Sequence, residues 1–237
     1  MQSSRSDSGF GAIVESMRLA QERTARERGF ADVDAMIAAD DAAEAKRAAR
    51  ERAAGLAEHR RSVLAQVAGE LSDATSERLM GGRHEETEAM RAIRDWSATS
   101  KAILVLAGNA GTGKSFASLA YACSRVVDCQ IVRASRLGAH WERWQSDRED
   151  RVAPLRLRVP LLIVDDLGLE PLDDRRAAVA VEELFHARQG GGLRTIITTN
   201  LSPVEAKSRY SERVFSRLAE CGRWVQIAGD DLRRGAR

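Results

Sequence analysis

Apolar positions in the first third of the chain recur with a helical period. Phe10, Ile13, Val14, Met17 and Gln21 follow the i, i+3, i+4, i+7 spacing, and Gly29 ends that pattern. Residues 1–9 carry no pattern and read as disordered. Phe30, Val33, Met36 and Ile37 open a second amphipathic stretch, which runs into DDAAEAKRAARERAAGLAEHRRSVLAQVAGEL. Charges there fall three or four residues apart, Glu44 with Arg47 and Arg47 with Glu51, so helix is favoured. Alanine buries little area, so such a helix either needs a partner surface or stays largely solvated. A further helix is expected over Arg83 to Trp96, with Met90, Ile93 and Trp96 turned inward.

After Lys101 the pattern changes to short apolar runs separated by helical stretches. Strands are expected at 102–107, 129–133, 160–165, 194–199 and 224–227, and helices at 114–126, 136–147, 174–189 and 211–219. Runs without polar alternation suit strands covered on both faces, as in a parallel sheet with crossover helices. Gly190 to Gly192 marks the break before the fourth strand. The fold expected is an α/β three-layer sandwich of about five parallel strands, preceded by an all-helical region.

Composition sharpens the division. All four prolines lie in the second part of the chain, and no aromatic residue occurs between Ala31 and Asp95. The expected boundary is near the Gly81-Gly82 pair or just after Trp96; the former gives a helical partner-binding region over 1–82 and a second domain over 83–237. The length of 237 residues accommodates one α/β domain and a smaller appendage. A net charge of +2 means that any nucleic-acid contact must come from a local patch. The three cysteines show no C-x-x-C spacing, and four scattered histidines complete no zinc set. No apolar run is long enough to span a bilayer, and MQSSRSDSG is no signal peptide, so a cytoplasmic location without membrane partners is expected.

Candidate chemistry begins at AILVLAGNAGTGKS, Ala102 to Ser115. The template G-x-x-x-x-G-K-[ST] is met at every fixed position by Gly108, Asn109, Ala110, Gly111, Thr112, Gly113, Lys114 and Ser115. Glycines let a backbone wrap phosphate oxygens, and the following helix start adds its positive dipole end. Lys114 would neutralise the β- and γ-phosphates, and the Ser115 hydroxyl would join Mg2+, so ATP with Mg2+ is the expected ligand. Phe116, next in the chain, is expected against the nucleotide. Pro160-Leu-Leu-Ile-Val-Asp165-Asp166 would place an acid at the end of a central strand. Asp165 would hold Mg2+ with Ser115, and Asp166 would orient the attacking water. Asn200 ends the fourth expected strand and either contacts the γ-phosphate or helps place water, or else starts a turn or caps a helix near Pro203. Arg213 and Arg217 share a helical face, and either reach a neighbouring copy's γ-phosphate or form surface ion pairs.

GNAGTGKS, LLIVDDLG, IITTN, ERVFSRL and GDDLRR, in this order, resemble the AAA+ helicase loaders of the DnaC type and the related IstB-type transposition ATPases. The similarity covers roughly Arg83 to Arg234. It implies a P-loop NTPase core of the AAA+ type without a C-terminal lid, which agrees with a chain that stops soon after Arg233. It further implies that Arg217 acts in trans with Arg213 nearby, that Arg233 senses the nucleotide, and that copies associate through ATP. In the loaders, the N-terminal helices grip the hexameric replicative helicase and deliver it to single-stranded DNA. Asp166 departs from the glutamate many AAA+ proteins carry, which suits slow, switch-like hydrolysis. The N-terminal part lacks the cysteines of loaders that bind zinc there.

DNA contact has one further candidate. Arg133, Arg136, Arg143, Arg148 and Arg151 surround Trp141 and Trp144, a mixture that can stack bases and hold phosphates. Leu137, Trp141 and Trp144 also share a helical face, which favours core packing. The expected function is an ATP-driven helicase loader. An IstB-like transposition ATPase is the close alternative, and a metabolic P-loop kinase the distant one.

Overall fold

Five apolar runs become five strands: β1 Ile103–Ala107, β2 Cys129–Arg133, β3 Leu161–Leu167, β4 Arg194–Thr199 and β5 Gly222–Gln226. They form one parallel sheet in the order β2-β3-β4-β1-β5. The structure, a computed structural model, describes residues 7–82, 84–146, 156–171, 174–189, 193–229 and 231–232, with backbone only for 7–12 and 144–146.

Alternation along the strands builds two cores. Ile103, Val105, Leu162, Val164 and Ile197 face one way, into a core completed by Leu137 and Trp141 of α6 (Leu137–Ser146). The same core takes in α7 (Arg175–Arg188) and α9 (Glu212–Cys221). Leu104, Leu106, Leu161, Ile163 and Ile196 face the other way, against α4 (Glu88–Ser97) and α5 (Lys114–Ser124). Val63, in the last turns of α2 (Val33–Ala65), and Leu79 of α3 (Asp73–Gly81) lie in that second core. The result is the expected three-layer sandwich.

The chain divides into two compact units, Met1–Gly55 and Leu56–Arg237, with the division inside α2 rather than at the Gly81-Gly82 pair. In the first unit, α1 (Asp7–Glu27) ends where expected: Gly29 takes a φ of 81°, and the Phe30 amide bonds back to Ala25 O at 2.9 Å. Arg28 and Asp40 pair across this turn at 2.6 Å, and Ala25 and Met36 are buried beneath it. The apolar stripe of α1 is left open, with Ile13, Val14 and Met17 each at least half exposed.

Four helical expectations change. Residues 7–9, read as disordered, belong to α1, and residues 1–6 lie outside the described residues. The helix expected from Arg83 begins only at Glu88, because the Thr87 hydroxyl accepts the Met90 amide and fixes the start there. A separate α3 follows α2, since Ser72 caps its start and Gly82, with a φ of 69°, ends it. The short α8 (Pro203–Arg209) lies where the alternative reading of Asn200 put a helix, but its cap is Ser202, in a reciprocal capping box with Glu205.

Candidate active site

The carboxyl ends of β1, β3 and β4 share one edge of the sheet, and the glycine-rich loop, Lys114, Asp165, Asp166 and Asn200 gather there. After β1 the chain turns through Gly108 and enters α5 at Lys114. A Cβ on Gly108 would stand 2.3 Å from the carbonyl oxygen of Ile227, so only glycine lets the loop pass beside the chain leaving β5. Gly111 has a φ of 83°, and a Cβ there would meet the Asp231 carboxylate at 1.9 Å. The Leu232 amide donates to Gly111 O at 3.0 Å, which ties residues 231–232 to the glycine-rich loop.

Lys114 is only 5% exposed. Its Nζ donates to Gly108 O at 2.8 Å, Asn109 O at 2.7 Å and Asn200 Oδ1 at 3.0 Å. Asn200, 86 residues away in sequence and just past the end of β4, is thus joined to the loop lysine. Thr112 donates its hydroxyl to Asn109 O at 2.9 Å and stiffens the same turn. Ser115 stands half-buried in the first turn of α5. Phe116 faces the second core, where the His84 ring meets it edge-on at 5.0 Å and the Arg78 guanidinium lies 4.8 Å above it.

β3 runs two residues beyond the expected strand and includes both acids. Asp165 Oδ1 accepts the Thr198 hydroxyl at 2.7 Å, and that hydroxyl accepts the Asp166 amide at 2.9 Å. Oxygen donors of the kind Ser115 and Asp165 supply suit Mg2+, so these residues fit that ion. Beside them lies a buried cluster that the sequence did not reveal. Glu170, 5% exposed, takes the Gly168 amide at 2.9 Å, Arg209 Nε at 3.0 Å and the Tyr210 hydroxyl. Burial and the neighbouring Glu170 carboxylate push the Tyr210 pKa upward, so the phenol stays protonated. The cluster pins α8 to the loop after β3. Its one sequence signal was an isolated acid five residues beyond Asp165.

The arginines lie elsewhere. Arg217 Nε donates to Gln189 Oε1 at 3.3 Å, and its NH2 lies 3.1 Å from His186 Nδ1. Both partners stand at the end of α7, next to the amino edge of the sheet, so Arg217 points away from its own loop. Arg213, one turn earlier, is exposed. Arg233 lies outside the described residues. Trp141 is 6% exposed and part of the core, so it offers no stacking face to DNA; its bulk fills the space between α6 and the sheet. The Trp144 side chain, Arg148 and Arg151 are outside the described residues. Arg133 and Arg136 lie 2.8 and 3.4 Å from the Glu70 carboxylate. Burial raises the pKa of all three free thiols, that of Cys123 to about 11, so none is a ready nucleophile.

No helix among the described residues is long and apolar enough to cross a membrane. Residues 85–237 match the model of the family described as IstB-like ATP binding protein. Over 144 residues the chain is 31% identical to y4pL of Sinorhizobium fredii, described as a candidate insertion sequence ATP-binding protein; the match covers 56% of this chain and 58% of that one. The chain thus spans little more than half the length of this curated relative. Among solved structures, the DnaC helicase loader is 22% identical with a TM-score of 0.47, covering 62% of this chain and 94% of that chain. AMPPCP-bound DnaA from Aquifex aeolicus is 19% identical with a TM-score of 0.45, covering 61% and 46%. A phosphate-binding loop on a five-stranded parallel sheet and a family match over most of its length agree: the chain belongs to the IstB-like ATP binding protein family.

Proposed function

We propose that this chain is the ATP-hydrolysing partner of an insertion-element transposase, assembling on DNA through copies of itself. The observation that carries the catalytic half is the hydrogen bond between Lys114 and Asn200 beside the paired acids of β3, with Arg217 turned away from its own loop. With Arg217 held at the far end of α7, its guanidinium is placed to serve a neighbour's site rather than its own. The insertion-sequence relative favours transposition over helicase loading.

In this reading the loop amides and Lys114 bind the phosphates, and Lys114 leaves its carbonyl partners to do so. Asn200 follows the lysine and registers the γ-phosphate. Asp166 orients water for in-line attack, and Arg217 of an adjoining copy, with Arg213 at its side, steadies the developing charge. Ser115 and Asp165 would hold Mg2+, which would supply neutralisation of phosphate charge. The open stripe of Ile13, Val14 and Met17 on α1 supports a partner-gripping role for the N-terminal helices.

The test mixes two inactive variants. Arg217→Ala should bind ATP normally and turn it over ~1000-fold more slowly, and Asp166→Ala likewise. Mixed, they should recover a measurable fraction of turnover, because one kind of pair holds an intact composite site. No recovery would remove the shared site. Copurification in ATP then separates the partners: a transposase supports this proposal, and a hexameric replicative helicase would install the loader reading in its place.

A further inference from the structure

The ladder between β3 and β4 is interrupted where the acids stand. Val164 pairs with Ile197 and Leu167 with Thr199, so Asp165 and Asp166 together oppose the single residue Thr198. This two-against-one arrangement is a β-bulge. Asp166 has a φ of 57°, in the left-handed region, and no other non-glycine among the described residues has a positive φ. In an unbroken strand the two carboxylates would leave on opposite faces of the sheet. The bulge breaks that alternation.

A bulge leaves a backbone amide without a ladder carbonyl, and a side chain fills the gap here. The Thr198 hydroxyl, on a residue with 0% exposure, lies 2.9 Å from the Asp166 amide and 2.7 Å from Asp165 Oδ1. Its direction is forced. The amide can only donate, so the hydroxyl accepts there and its single proton goes to the Asp165 carboxylate. Thr199 repeats the device one residue on, donating to Leu167 O at 2.6 Å and accepting the Leu201 amide at 3.1 Å.

We infer that Thr198 is a positioning residue for the ATPase site, fixing the Asp165 carboxylate and holding Asp166 in its left-handed turn through one hydroxyl. The inference rests on the ATPase reading above. A carboxylate with one oxygen pinned has a set orientation toward a cation, and loss of such outer partners weakens metal sites. The β-branched side chain adds a stiff χ1, so the hydroxyl itself does not wander.

The test compares Thr198→Val, which keeps the shape and loses the hydroxyl, with Thr198→Ser, which keeps the hydroxyl. In nucleotide-free protein, the Asp166 amide should exchange with solvent ~10-fold faster in the Val variant and near the wild-type rate in the Ser variant. With ATP, the Val variant should lose ~10- to 100-fold in turnover and need ~10-fold more Mg2+ for half-maximal rate. Its nucleotide affinity in EDTA should stay within about twofold of wild type, because the phosphate loop is untouched. Wild-type Mg2+ dependence in the Val variant, or equal damage in both variants, would overturn the assignment alone. Failure of the wild-type protein to bind nucleotide would overturn the ATPase reading and this assignment with it.

Discussion

Two long cationic side chains are buried at opposite edges of the same sheet, and they have opposite prospects. At the carboxyl edge, Lys114 is 5% exposed and is held by loop carbonyls and Asn200. At the amino edge, Arg188 is 0% exposed, and its five N–H groups meet Leu157 O, Val159 O, Pro160 O, Arg194 O and the Thr195 hydroxyl. The Lys114 ammonium is a compact charge on a flexible stem, and its present partners can give way to phosphate oxygens. The Arg188 guanidinium is a rigid fork whose every donor is already used. Burial lowers the Arg188 pKa to about 10, yet at neutral pH the group remains charged and knits the loop before β3 to the start of β4. One buried cation can exchange its partners, and the other is a rivet.

The contrast is easiest to break at Arg188. Arg188→Met keeps the length of the stem but strands three or four buried acceptors, each worth ~1–2 kcal/mol, so a loss of roughly 4–6 kcal/mol is expected. Urea denaturation should show a collapsed midpoint or no cooperative transition. A midpoint near wild type would mean that water replaces the guanidinium, and the rivet would be no rivet. Lys114→Ala should do the reverse. Nucleotide binding should weaken at least ~100-fold, about 2.7 kcal/mol, measured by fluorescent-nucleotide titration. Stability without nucleotide should be unchanged or raised, because a buried charge is removed. A large loss of stability in Lys114→Ala would place both cations in the same structural class.

Only one of these cations was legible in the sequence. Lys114 sits in a motif whose spacing encodes geometry, since each glycine permits a backbone turn that other residues resist. Asp165 was legible for a related reason: a strand covered on both faces reads as an unbroken apolar run, and an acid at its end stands out. Arg188 carries no such signal. An arginine in the last turn of a helix is ordinary on the surface, and its burial depends on carbonyls from residues 157–160 and 194. Thr198 and the Glu170 cluster were silent likewise, because the Thr198 partners and the Arg209 and Tyr210 partners of Glu170 lie 32 or more residues away. A helix near Pro203 was readable, but Asn200 stood as its cap in place of Ser202, although Ser202-Pro-Val-Glu205 fits the capping pattern. The division at Gly55 and Leu56 was not, since α2 continues through it without a breaker other than that glycine.

Between the two edges lies a test of how tightly the phosphate loop is tied to the C-terminal segment. Gly111→Ala forces an L-residue into a φ of 83° and drives its Cβ into the Asp231 carboxylate. A cost of ~1–2 kcal/mol is expected from the backbone alone. Displacement of residues 231–232 should accompany it, visible as faster exchange of the Leu232 amide. If that amide keeps its protection, the loop and the segment are not coupled through Gly111.

The smallest effect concerns a third way of satisfying buried polar groups, a side chain acting as a strand. β2 is at the edge of the sheet, and Gln66 covers it: its Nε2 donates to Cys129 O at 3.2 Å and its Oε1 accepts the Ile131 amide at 2.9 Å. The amide copies the donor and acceptor of a neighbouring peptide and so blunts an edge open to pairing with another chain. Gln66→Ala should cost about 1 kcal/mol, because water can reach the vacated groups. Gln66→Glu tests the direction of the bonds. A carboxylate can still accept the Ile131 amide but faces the Cys129 carbonyl with no proton to offer, so above the carboxylate pKa it should be less stable than Gln66→Ala. Protonation restores a donor, and a carboxyl favoured in its neutral form has a raised folded-state pKa, so its stability should recover as the pH falls. A Glu variant that stays as stable as wild type at neutral pH would show that Gln66 rests against β2 without pairing to it.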